Sequence, residues 1–129
     1  MKESILREKS FDFAFRILNL YKYLQNEHRE YVISKQILRC GTAIGANLEE
    51  AKHGQSTLDF VHKLSIAQKE AAETAYWLKL LTRGDYINEK LSTSMRSDCE
   101  EIQKMLTASI KTAKASIERQ KRNCKVSEN

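Results

Sequence analysis

Two short patterns carry residue types that bind metals. Glu50-Ala51-Lys52-His53 is Glu-x-x-His and Asp59-Phe60-Val61-His62 is Asp-x-x-His, spacings that put carboxylate and imidazole on one helix face. In bundle di-iron proteins, two Glu-x-x-His pairs and two further glutamates project inward from four helices. Here both pairs flank Gly54 and the same loop, and no further carboxylates stand at matching depth. No metal and no other cofactor is therefore expected. Nucleophilic catalysis has less support still. Cys40 has no histidine at local helical spacing, and the chain has no Gly-x-Ser-x-Gly elbow. No glycine-rich phosphate loop follows a strand. No catalytic residue is assigned, and the chain reads as a non-enzyme. Trp77 beside Tyr76 reads as core and interface packing in place of a cofactor box.

Charge gives a stronger signal. The chain carries 22 Lys+Arg against 17 Asp+Glu, a formal net charge of +5. Lys111, Lys114, Arg119, Lys121, Arg122 and Lys125 cluster near the C-terminus, against only Glu118 and Glu128. Such a cluster attracts phosphate backbones by counterion release, so RNA or DNA is an expected partner. The plainer reading is a solubilising tail, and base-stacking aromatics are lacking there. A second polar set is Arg39, Asn47, Glu50, Glu70 and Glu73, near apolar positions. Glu70 and Glu73 share a helix face, and Arg39 on a neighbouring helix could bridge them. Because an unpaired buried carboxylate is costly, the expected role is an ion-pair network fixing helix register or a subunit interface.

The elements that must position these groups are helices. Among 129 residues there is no proline and only four glycines, so turns and edge strands lack their usual punctuation. The pattern predicts four helices. The first spans about 10–26, with Phe11, Ala14, Phe15, Leu18, Tyr21 and Leu24 as its apolar stripe. The second starts at Ser34 as N-cap, carries Ile37, Leu38, Ile44 and Leu48, and stops at Gly54. Its interior glycines, Gly41 and Gly45, lie one turn apart. Each costs about 1 kcal/mol against alanine, so close packing must compensate, with the third helix lying in that notch.

The third helix opens on Ser56 with Asp59 three residues on, resembling a capping box, and stops at Gly84. Asn88 caps the fourth, which carries Leu91, Met95, Cys99, Ile102, Leu106, Ile110, Ala113 and Ile117. Short connections then give an all-α, antiparallel up-down-up-down four-helix bundle over residues 1–118. Residues 119–129 are expected to form a basic, disordered tail. Cys40, Cys99 and Cys124 are odd in number and widely spaced, which reads as free thiols in a reducing cytoplasm. No secretory leader is read at the N-terminus, and no stretch approaches the ~20 apolar residues of a membrane span.

One segment of the second helix and one of the third resemble a known family. Ile37-Leu38-Arg39-Cys40-Gly41-Thr42-Ala43-Ile44-Gly45-Ala46-Asn47-Leu48-Glu49-Glu50-Ala51 is similar to the signature LR-x-(A/G)-x-SIGANI-x-E-(A/G) of the four helix bundle protein family, also called the 23S rRNA intervening-sequence protein family. The run Asp59-Phe60…Lys63-Leu64-Ser65-Ile66-Ala67…Lys69-Glu70-Ala71…Glu73-Thr74…Tyr76-Trp77-Leu78 resembles its DF-x-x-KLSIA-x-KEA-x-ET-x-YWL block. Ala43 and Leu48 depart from the family's Ser and Ile. The resemblance covers about residues 10–87 and implies a bundle assembled as a homopentamer, of bacterial origin. Some members are encoded in insertions within large-subunit rRNA genes, and a related branch works beside diversity-generating retroelements. Five C-terminal ends gathered by such a pentamer would present about +20 at one end. The implied function is a non-enzymatic scaffold for RNA or a nucleoprotein. The rival readings are a protein-protein interaction module without nucleic acid and a bundle metalloprotein.

Overall fold

Without proline, and with no glycine after Gly84, little interrupts the helical periodicity, and the chain forms four long helices. They are α1 (Lys2–His28), α2 (Ile33–Lys52), α3 (Thr57–Arg83) and α4 (Glu89–Glu128). This computed structural model describes residues 2–128, with side chains described through Val126. No strand occurs among the described residues, and no helix is long and apolar enough to cross a membrane.

Contacts run in opposite senses along every adjacent pair. Arg7 lies beside Glu49 while Ile17 faces Gly41, so α1 and α2 are antiparallel. Arg39 meets Glu73 and Glu50 meets Lys63 across α2 and α3. Gln68 bonds Thr107 and Thr82 bonds Ser92 across α3 and α4, while Lys9 pairs with Glu101 and Arg16 with Asp98 across α1 and α4. No Cα of α1 comes within 8 Å of α3, nor one of α2 within 8 Å of α4. The four helices therefore close an up-down-up-down ring around one core.

The core corrects the expected face of α1. Leu6, Phe13, Ile17, Leu20 and Leu24 are buried, whereas Phe11 is 74% and Phe15 60% exposed. Two apolar rows run along this helix, and only Leu24 belongs to both the expected stripe and the buried row. The buried row is the one that faces the interior glycines of α2, with Ile17 against Gly41 and the small Ser10 against Gly45. Helix α1 also begins at Lys2, well ahead of the expected start at Ser10.

The helix that faces the interior glycines of α2 is α1 and not α3. A Cβ on Gly41 would stand 2.8 Å from both Cγ atoms of Ile17, inside any van der Waals contact. At Gly45 the nearest atom is the Ser10 carbonyl oxygen at 3.6 Å, an ordinary contact.

Caps also differ in part. Ser56 accepts from the Asp59 amide and Asn88 from the Leu91 amide, as expected. Ser34 does not cap α2. The Glu30 carboxylate does so, accepting from the amides of Val32, Ile33 and Ser34 at 3.2, 3.1 and 2.7 Å. Burial alone would raise the Glu30 pKa, but these three N–H donors overcome it and hold the carboxyl below its ordinary value. The left-handed residues after α1 and α3 are Arg29 and Asp85, with φ of 51° and 64°.

The stretch from Arg119, expected to be a disordered tail, is part of α4 through Glu128, and Asn129 lies outside the described residues. Lys, Arg, Gln and Glu are good helix formers, and nothing there breaks the chain.

Candidate nucleic-acid interface

Helicity turns the C-terminal cations from a cloud into a surface. At about 100° per residue, Lys111, Lys114, Arg119, Lys121, Arg122 and Lys125 fall within an arc of roughly 160° on α4. The arc lies opposite the row of Leu106, Ala113 and Ile117 that continues the core-facing side. All six cations are exposed. The salt bridges among the described residues involve none of them. From Lys111 to Lys125 the stripe spans about 21 Å at 1.5 Å per residue, and Glu118 is the one carboxylate within it. Past Ile117 every described side chain is exposed, so this end of α4 has no partner helix in the subunit. Six fixed cations along one face can contact successive phosphates without reading bases.

The polar set on α2 and α3 divides into separate contacts. Arg39 bridges Glu70 at 3.2 Å and Glu73 at 2.5 Å, the geometry expected from the sequence. Trp77 joins it, its indole N–H donating to Glu73 at 3.0 Å. That donor first, and the Arg39 guanidinium next, hold the Glu73 carboxyl below its ordinary value against a smaller opposing effect of burial. The Arg39 side chain is 52% exposed, so the cluster lies on the outer seam between α2 and α3 and is not buried. Glu50 pairs instead with Lys63 at 3.4 Å. The Asn47 amide turns back to the Ala43 carbonyl of its own helix at 2.8 Å.

Among the described residues, no three His, Cys, Asp or Glu side chains converge as a metal site. Cys40 and Cys99 are buried and Cys124 exposed. Cys40 accepts from the Thr74 hydroxyl, and Cys99 donates to the Ala71 carbonyl. They sit on α2 and α4, whose Cα atoms stay more than 8 Å apart, beyond disulfide reach. Burial first, then Cys40 and Asp98, push the Cys99 thiol up to about 12, which leaves it unreactive.

One feature had no trace in the local pattern. A groove of about 970 Å³ opens at the bundle end where the start of α1, the α2–α3 loop and the outer half of α4 meet, with Phe60 and Met105 among its walls. Its residues come from three separate stretches of chain, so no single periodicity could reveal it.

A family model described as 23S rRNA-intervening sequence protein matches residues 2–108. A crystal structure of a protein of unknown function from Bacteroides thetaiotaomicron, described as of the S23 ribosomal protein family, is 54% identical and covers 86% of this chain. The alignment takes in 99% of that chain, with a TM-score of 0.85. None of the curated proteins matches.

Proposed function

The chain belongs to the 23S rRNA-intervening sequence protein family, and from that premise we propose that it is a non-enzymatic, self-associating cytoplasmic scaffold that binds RNA along the outward face of α4. The observation that carries this reading is the stripe of six exposed cations, held on one helix face and free of intramolecular ion pairs among the described residues. Contacts of this kind go to phosphates, so affinity should depend steeply on salt and little on sequence. Self-association is supported by Phe11 and Phe15, one turn apart and largely in solvent, because large apolar side chains grouped on a surface mark interaction sites. A pentamer, the assembly its family resemblance implies, would gather five stripes and multiply the local field.

The test is fluorescence anisotropy with structured RNA, single-stranded RNA and duplex DNA across a salt series. Binding should weaken linearly in log–log form, and Lys121→Ala with Arg122→Ala should lower the slope on duplex by about 0.9 for each cation removed. Absence of binding near 50 mM salt, or a slope indifferent to the two substitutions, would refute it. In that event Phe11 and Phe15 favour the second reading, a protein-protein interaction module without nucleic acid.

A further inference from the structure

The groove beside the basic stripe has walls of mixed chemistry. Phe60 and Met105 supply an apolar floor, and both are half-buried. Gln55, Ser109, Thr112 and Ser116 supply amide and hydroxyl groups around it. Arg119 and Lys104, the latter paired with Glu100 at 3.6 Å, stand at the α4 edge and Lys2 at the α1 edge, and Glu3 is the one carboxylate of the lining. An alkyl ligand would leave those hydroxyls unmatched, and a bare anion would leave the floor unused. A planar heteroaromatic ring bearing a phosphate satisfies all three parts. Its face packs on Phe60, its edge bonds hydroxyl and amide groups, and its phosphate meets the cations. At about 970 Å³ the groove lies within the roughly 300–1,000 Å³ of small-ligand sites.

We propose that this groove receives an unpaired nucleotide, so that a strand lying on the α4 stripe places one base among Phe60, Met105 and Ser109. The inference rests on the nucleic-acid reading above and assigns it a preference that the stripe alone does not give. By the 100° spacing, Arg119 lies on the edge shared by groove and stripe and Lys104 continues the line of the stripe toward the bundle, so one backbone can follow the stripe while a base turns inward.

The experiment compares the full chain with an Ala108→Leu/Thr112→Leu variant. Both positions line the groove, are exposed and lie on a helix, so the bundle should persist, as far-UV circular dichroism would verify. The probes are a 12-nucleotide oligoadenylate and a 12-base-pair RNA duplex. The variant should bind the single strand at least about fivefold more weakly, the low end of what one stacked base contributes, while duplex affinity stays within about twofold. Equal single-strand affinity for variant and wild type would overturn the groove assignment. So would a wild type that binds only duplex, and in both cases the stripe reading survives. A wild type that binds neither probe would overturn both readings. Competition by millimolar AMP, lost in the variant, would support the assignment and show that a free nucleotide also enters. Weaker strand binding by the variant without AMP competition would support it for a nucleotide within a strand.

Discussion

Adding one methyl group at either of two glycines four residues apart should have clearly unequal effects on stability. Gly41 and Gly45 both lie inside α2, so replacement by alanine recovers about 1 kcal/mol of helix propensity at each. At Gly45 that gain stands nearly alone, because the new Cβ meets Ser10 at 3.6–3.7 Å. Gly45→Ala should therefore stabilise by about 0.5–1 kcal/mol. At Gly41 the new Cβ stands 2.8 Å from Ile17 Cγ1 and Cγ2 and 3.1 Å from Cδ1. Ile17 is fully buried and branches at Cβ, so it has few rotamers with which to retreat. Overpacking of this kind costs about 1–3 kcal/mol, leaving Gly41→Ala neutral to about 2 kcal/mol destabilised.

Urea denaturation of the two single variants should separate them by about 1–3 kcal/mol. Ile17→Ala alone should cost about 2–5 kcal/mol. Combined with Gly41→Ala it should cost less than the sum of the two, because the clashing atoms are gone. Gly41→Ala as stable as Gly45→Ala, together with strict additivity in that cycle, would refute the claim that α1 enters the notch at Gly41.

Two smaller outcomes follow from the caps and the thiols. Glu30→Ala should lower stability at neutral pH by about 1 kcal/mol, as loss of a helix cap does. Because the folded state holds the Glu30 carboxyl below its ordinary value, its contribution is complete above the unfolded pKa and fades as pH falls through the native one. Glu30→Gln should accordingly flatten the acid limb of a urea-midpoint profile below about pH 4.5, and an unchanged limb would count against the cap. In native protein at pH 8, a disulfide reagent should titrate one thiol quickly, Cys124, and all three in denaturant. Two fast thiols would contradict the burial of Cys40 and Cys99.

The helix count, the caps at Ser56 and Asn88 and the bridge from Arg39 to Glu70 and Glu73 were legible because each rests on spacing within one helix or on a few charged residues. The buried face of α1 was not. Phe11, Phe15 and Leu18 repeat at helical spacing as well as Phe13, Ile17 and Leu20 do, and periodicity measures repetition without saying which side meets the bundle. The decision belongs to α2, whose Gly41 admits Ile17. Ser10, where the first helix was expected to start, is instead a fully buried small residue in its interior. The Glu30 cap escaped notice because a carboxylate reaching three amides from outside the first turn has no fixed spacing rule. The groove needed the tertiary structure, since only there do Phe60 and Met105 approach one another's surroundings.

The far end of α4 sets helix formation against charge. The helix is 40 residues long and α3 only 27, so at 1.5 Å per residue α4 exceeds it by about 20 Å. That excess has no packing to sustain it, and an unpacked helix of this length is marginal in water. Lys111 with Lys114, Arg119 with Arg122, Arg122 with Lys125 and Lys121 with Lys125 are like-charge neighbours at helical spacing, together worth about 1–2 kcal/mol against the helix. Glu118, four residues after Lys114 and four before Arg122, offsets part of this. A stripe that repels itself, with Glu118 the one carboxylate between Lys111 and Lys125, is stabilised by whatever polyanion lies along it. Phosphates that neutralise these cations would remove the repulsion and favour the helical display that presents them. Scattering the same charges around the helix would lower the strain and lose the continuous face, so their grouping on one side fits a surface built to be covered.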